Sequence, residues 1–485
     1  MSKSEEKPVN KSRRNFIMAA GGAAALIAVG GGYYYLSQPG PTPGPTETKT
    51  ETKAKVKLRY LGFPFFLPQD AISKWKELTG QEIEATFAEA FVIGQKQLEN
   101  PAAWDFGGSL RHRPLVTAGV LRKMPLTQVP RWQSDKLTDI FVHPEEYFSA
   151  AQAKRFNFLL WGDKGESRTD LISVPCIWNF DSVTYLPEFL TGYEERGGQN
   201  TTISYLELFK PEWKGHVGMQ DEAFTSFTEP ANVLNATGQM DISGATSSMT
   251  TDEVDKVYNY LLPIIKSGQI RTFWGNYGDI VNLLSTKELY LSSTWQPVCF
   301  DTRKAGTPAF YARLQNGPFF WFNSNYMSTG ANPDAVDDTL KVINWTQELW
   351  MQMLYTRQGY PSPGSGWEDY KAAMGAEFYD WFFKGKATYL STADVTKEIW
   401  KDKPEFQNLP ERMQNALFTP DTYFRHFWTG EPPRTGSPDP KGNLRDLGSD
   451  EDKEKITRYF LSPDLPDNNE YYVQKYEQLK ASIPS

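Results

Sequence analysis

The chain holds few of the side chains that make and break bonds and many of those that bind. Its two cysteines, Cys176 and Cys299, are too few for a disulfide scaffold or a Cys-rich metal site. Its four histidines, His112, His143, His216 and His426, show no metal-ligand spacing, and no cofactor is expected. There is no Gly-x-Ser-x-Gly elbow, no His-Glu-x-x-His and no phosphate-binding loop, so any energy coupling has to reside in another chain. Many secreted, acidic, aromatic-rich proteins are glycoside hydrolases working with two carboxylates, but no such pair stands out here. Aromatic residues are abundant: 15 Trp, 24 Tyr and 30 Phe make up 14% of the chain. That exceeds what a core of this size needs and points to aromatic-lined ligand surfaces.

Charge narrows the partners. The formal net charge is -8, yet residues 1–56 hold eight Lys or Arg against four Glu, +4 in all, which leaves -12 for the rest. A nucleic-acid binder needs a basic face, because phosphate contacts supply most of its affinity; this body is the wrong sign for one. With 485 residues, 39% hydrophobic and 23% charged, the chain is long enough for two to three folded domains at about 150 residues each.

The N-terminus reads as export machinery. Ser12-Arg13-Arg14-Asn15-Phe16-Ile17 precedes Phe16 to Leu36, 21 residues without a charge. Paired arginines before an apolar run resemble the twin-arginine signal, which exports folded proteins. The run just spans a bilayer core of about 30 Å and ends in Tyr33-Tyr34-Tyr35, an interfacial anchor pattern, so residues 1–37 are a twin-arginine signal or a membrane anchor. Residues 38–56, rich in Pro and Thr, cannot bury apolar surface and form an extended linker.

From Val56 the pattern alternates strand and helix. Val56 to Leu61 and Gln81 to Phe87 read as strands, and Gln69 to Leu78 as a helix stopped by Thr79-Gly80. A short strand follows at Trp104 to Phe106, and further strands at Ile172 to Trp178, Gly215 to Gln220 and Leu289 to Trp295. Helices are expected over Thr251 to Lys266, capped by Thr251, and over Asp334 to Leu354. Strands joined by helical crossovers give an α/β fold with a parallel or mixed sheet.

The order of motifs then carries a resemblance. Ala71 to Gly80, Ala118-Gly119-Val120-Leu121, Val174-Pro175-Cys176-Ile177-Trp178, Leu206 to Gly215, and Gln358-Gly359-Tyr360-Pro361-Ser362-Pro363 appear in sequence, with Gly306-Thr307-Pro308 and Asn316 to Trp321 between the last two. Over roughly residues 57–365 the body resembles the extracellular solute-binding proteins of ABC importers, most closely the spermidine and putrescine binding branch. The resemblance implies an α/β, two-lobe periplasmic-binding-protein-like fold with crossing hinge strands and ligand held in the cleft. It puts the crossings near Val174 and Pro297, with residues 57–173 and 297–343 as lobe 1 and 174–296 and 344–485 as lobe 2. It also sets Cys176 and Cys299 on or beside the crossings, where a disulfide would stiffen the hinge.

Such binders hold a flexible cation between aromatic faces and meet its ammonium groups with carboxylates. The resemblance implies ligand contacts from Phe63, Phe66, Ser109, Glu222, Trp274, Asn276, Trp295 and Tyr360. Phe63 and Phe66 stand where the family has a Trp and a Tyr, and core packing suits them equally. Arg111, Thr225 and Asn323 depart from the pattern: a guanidinium opposes a cation, and two carboxylates are missing. The implied function is an extracytoplasmic, monomeric solute-binding protein, not an enzyme, delivering a small polar, polyamine-like ligand to ABC permease subunits. A secreted carbohydrate-active enzyme and a surface binding or adhesion protein are the alternatives.

Overall fold

In a computed structural model of the chain, residues 55–133, 135–162, 168–192, 201–242, 246–315 and 319–389 are described, with short stretches between 406 and 461 and the C-terminal residues 466–484. The expected export segment, nearly all of the linker and most of the expected surface loop at 428–454 lie outside the described residues.

The chain opens with strand β1 (Leu58–Gly62), helix α1 (Gln69–Thr79), β2 (Ile83–Phe87), α2 (Ala90–Glu99) and β3 (Phe106–Ser109). Helix α1 buries Ala71, Ile72 and Trp75 on one face and stops at Gly80, whose φ of 70° is left-handed backbone that glycine adopts without strain. Strand β4 (Val174–Tyr185) follows, then β5 (Val217–Gln220), α3 (Ala223–Ala236), α4 (Thr251–Lys266), β6 (Ile270–Trp274), α5 (Tyr277–Ser285), β7 (Leu291–Thr294) and α6 (Gln296–Lys304). Strand β8 (Phe319–Ser328), α7 (Val336–Trp345), α8 (Leu349–Arg357), the short β9 (Phe460–Leu461) and α9 (Asn469–Lys480) complete the elements used below. Helix α4 is capped by Thr250 rather than Thr251, in a reciprocal box with Glu253. The single helix expected over 334–354 is two, α7 and α8, separated at Thr346–Glu348.

The main sheet runs β6-β5-β7-β4-β8-β3-β1-β2. Its outer halves are parallel, β1 with β2 and β3, and β5 with β6 and β7. Its middle is antiparallel, β4 lying between β7 and β8, and β8 between β4 and β3. Strands β4 and β8 are the longest, at 12 and 10 residues, and are buried almost throughout, as strands covered on both faces must be.

Two hydrophobic cores divide along these two strands. The first takes Val174 to Phe180 of β4 and Phe320 to Met327 of β8, with Leu58, Tyr60 and Phe106; the second takes Val183 and Tyr185 of β4 and Phe319 of β8, with Val217, Met219 and Ile270. The seam therefore crosses β4 at Asp181 and Ser182, and crosses β8 between Phe319 and Phe320. These are the crossing strands of a two-lobe α/β fold.

The crossing expected near Pro297 is displaced. Pro297 sits in the first turn of α6, where a residue without an N–H is well accommodated, so the chain turns into a helix of the second lobe after β7 and crosses only at β8. Phe310 and Ala312 pack in the second core, and Trp345, Met351, Leu354, Tyr355 and Tyr360 in the first, the reverse of the sequence-based assignment. Cys176 and Cys299 are both free thiols; Cys176 lies in the first core, and Cys299 in a small cluster with Leu186, Ala309 and Tyr311.

Candidate functional site

A cavity of about 410 Å³ lies between the two lobes at the seam. Its first wall comes from the loop after β1 and the loop after β3. Pro64 and Pro68 keep the former from continuing as strand or helix, and it presents Phe63, Phe65 and Phe66. Phe63 stacks on Phe65 at 5.6 Å and 18°. After β3, the Ser109 hydroxyl accepts from the Arg111 N–H at 3.0 Å, a local turn that aims Leu110 and Arg111 into the cleft.

The second wall is built from strand ends and helix starts. Glu222 occupies the position before α3 and its carboxylate accepts from the Thr225 N–H at 2.7 Å, capping the helix. The same Oε2 accepts from Arg111 Nη2 at 2.9 Å, an ion pair between the lobes with side chains 5% and 23% exposed. The guanidinium also lies 5.4 Å from the Phe224 ring centroid. Trp274 is buried, and its indole N–H is taken by Ser292 Oγ and the Ser293 carbonyl. Trp295, partly exposed, stands edge-on to Trp274 at 5.3 Å, lies parallel to Tyr277 at 6.5 Å and meets Phe63 of the opposite wall at 6.0 Å.

The floor is the seam itself. Trp321 Nε1 donates to Asp181 Oδ1 at 2.7 Å. The register pairs Asp181 with Phe319, so Trp321 is its diagonal neighbour, two residues along the same strand. Tyr360 packs edge-on against Trp321 at 5.3 Å. Burial pushes the Asp181 carboxyl up to about 7, against the Trp321 hydrogen bond and the Arg111 charge, which lower it. Burial likewise raises the Tyr360 phenol. At the mouth, Glu89 is raised by burial and by the Glu222 charge, and Val473, Tyr476 and Glu477 of α9 close one side.

With the geometry in view, kinship can be read. No family model matches the chain. Over 195 residues, 39% of this chain and 49% of the relative, it is 26% identical to the spermidine/putrescine-binding periplasmic protein of Escherichia coli (strain K12). The protein of the same name from Salmonella typhimurium matches over the same share at the same identity. The chain thus spans about half the length of the curated relatives it matches. A Listeria monocytogenes structure described as a spermidine/putrescine ABC transporter superposes with a TM-score of 0.53 at 13% identity, covering 87% of this chain and 98% of that one. The TpPotD lipoprotein of Treponema pallidum gives 0.52 at 10% identity, over 87% and 99%. Over that shared stretch the chain is similar to the spermidine/putrescine-binding periplasmic proteins. Its fold is the two-lobe fold of solute-binding proteins.

Within this solute-binding fold, seven of the eight expected site residues line the cavity: Phe63, Phe66, Ser109, Glu222, Trp274, Trp295 and Tyr360. Asn276 does not. It is exposed, and its side chain accepts from the Gly278 N–H at 2.8 Å to cap α5. Three of the seven are committed inward: Phe66 is 5% exposed, Ser109 shapes its own loop, and Trp274 spends its N–H on β7. Asn323 is fully buried and donates to Cys176 Sγ at 3.3 Å, so it faces the core rather than the ligand.

Sequence reasoning passed over Asp181, Trp321, Phe65, Glu89 and Tyr476. The lone charge in a twelve-residue strand that is otherwise uncharged was the available signal for Asp181, since such a charge is costly unless it has work at a surface. Tyr476 had none, lying more than a hundred residues beyond the region of likeness. Among the described residues no group of three or more His, Cys, Asp or Glu is arranged to hold a metal ion, and no helix is long and apolar enough to cross a membrane.

Proposed function

We propose that the chain is an extracytoplasmic solute-binding protein that captures a small polar, amine-bearing ligand between its lobes and delivers it to ABC permease subunits, without turnover. One observation carries the reading: an aromatic-walled cavity, lined by Trp295, Phe63, Phe65, Trp321 and Tyr360, that opens where the crossing strands β4 and β8 join the lobes and contains carboxylates. Aromatic faces attract a desolvated ammonium by about 2 kcal/mol, and a carboxylate supplies the countercharge that a buried cation requires. The names of the sequence relatives support the same ligand class. Hinge bending about β4 and β8 provides capture and release.

Calorimetric titration of the purified protein with putrescine and spermidine tests the reading: saturable binding of either amine is expected. Binding of neither amine, or turnover of a glycan or ester panel, overturns it. Native mass spectrometry of the protein as purified is expected to reveal a released small amine. In the same reading, residues 1–37 direct twin-arginine export and hold the monomeric body on the outer face through the 38–56 tether. Replacing Arg13 and Arg14 by Lys is expected to retain folded protein in the cytoplasm; normal delivery of that variant would exclude the route.

A further inference from the structure

We infer that Asp181, not Glu222, receives the ligand's ammonium, and that the cleft therefore favours an organic monocation over a dication. This inference rests on the amine-binding reading above and specifies its ligand.

Glu222 is the acid that matches the family pattern, but its carboxylate is already engaged. One oxygen accepts from both the Thr225 N–H and Arg111 Nη2, so the carboxylate serves at once as a helix cap and as half of an ion pair. An ammonium placed against it would lie beside a guanidinium, and like-charge juxtaposition opposes that pose. Asp181 is placed differently. Its Oδ1 accepts from Trp321 Nε1, and among the described residues no donor meets its Oδ2, while the residue keeps partial exposure to the cavity. The rings nearest this floor, Trp321 and Tyr360, leave the ammonium's carbon chain an aromatic path toward Trp295 and Phe63.

The charged and titratable groups around Asp181 come from every element packed on it. Arg111 follows β3 and Glu222 precedes α3. Glu229 lies in α3, Tyr205 donates to the Asp181 carbonyl at 2.8 Å, and Tyr311 and Tyr360 approach from the segments before β8 and after α8. Arg111 is the cation among them, and it is paired with Glu222. A ligand with one ammonium meets Asp181 and leaves that pair intact; a second ammonium directed at Glu222 meets the guanidinium of Arg111 beside it. Glu89 and Glu477 stand at the mouth rather than on the floor, and burial and the Glu222 charge raise the Glu89 carboxyl, which disfavours its anion there.

Because the Asp181 carboxyl keeps its proton up to about 7 in the empty cleft, an ammonium must displace that proton in the acid range. Affinity for a cation is flat above the carboxyl's titration and falls below it, by up to about tenfold per pH unit.

The test uses the purified full-length protein and three probes: putrescine with two ammonium groups, N-acetylputrescine with one, and N-butylacetamide with none. The parent is expected to bind N-acetylputrescine more tightly than putrescine, and more tightly at pH 8 than at pH 6. Asp181→Asn keeps an acceptor for Trp321 and removes the charge. It is expected to weaken N-acetylputrescine by at least about tenfold at pH 8, to leave N-butylacetamide within about threefold, and to abolish the pH dependence. Equal loss for charged and neutral probes would assign Asp181 a structural role and overturn the inference, as would unchanged N-acetylputrescine binding. Preference for putrescine in the parent would overturn the monocation claim. If the parent binds neither amine, the amine reading itself fails.

Discussion

The second wall and the floor of the cleft each present a carboxylate to the cavity, Glu222 and Asp181, yet their surroundings give them opposite roles. On the second wall the Glu222 carboxylate accepts from a guanidinium of the facing lobe and from a helix N-terminus, so Glu222 serves the architecture and joins the lobes. On the floor, burial beside an indole opposes the charge and raises the carboxyl to about 7, so Asp181 is left needing a cation. Residue type alone does not distinguish a latch from an anchor; the partner already in place does.

The largest expected effect falls between these two regions, on Trp295, which touches both walls. Trp295→Ala should weaken charged and neutral probes alike by about 30-fold or more, since it removes an aromatic platform rather than a charge. Calorimetry with putrescine and N-butylacetamide checks this, and a loss confined to the charged probe would show the platform role to be wrong. Arg111→Gln sharpens the comparison by releasing Glu222. Putrescine affinity is then expected to rise by about tenfold, bringing the second wall closer to the floor in character. No gain for the dication would mean that Glu222 is withheld by its capping bond alone.

A smaller effect concerns stability. Glu229 is 3% exposed, accepts a hydrogen bond from the Ser293 hydroxyl, and is raised by burial to about 8. A carboxyl raised on folding contributes stability that is complete below its unfolded value of about 4.5 and is lost as pH rises through its folded value. The parent should therefore unfold at a lower temperature at pH 8.5 than at pH 5.5. Glu229→Gln should narrow that difference, raising the melting temperature mainly at the higher pH. Thermal scans of both proteins at the two pH values decide it. The smallest effect is expected at Asn276: Asn276→Ala removes the α5 cap, costing about 1 kcal/mol of stability while leaving probe affinity unchanged. A change in affinity there would return Asn276 to the site.

Much was legible in the sequence because it is local. Alternation at Val56–Leu61, the helical spacing of 69–78 with its glycine stop, and the apolar stripe of 251–266 depend on neighbours a few residues apart, and the corresponding elements stand where expected. The order of short motifs indicated the two-lobe α/β fold and brought Phe63, Glu222, Trp295 and Tyr360 to one cavity. Only the tertiary structure decided what is non-local. Pro297 is expected beside a crossing but sits in a first helical turn, and it is the second core, closing over Phe310 and Phe319, that delays the crossing to β8. Asp181 and Trp321 are 140 residues apart and meet because antiparallel β4 and β8 share a register, while Arg111 and Glu222 are 111 apart and meet only where the lobes face each other. A carboxylate's type is written in the chain, but its charge state and its availability come from groups that folding brings to it.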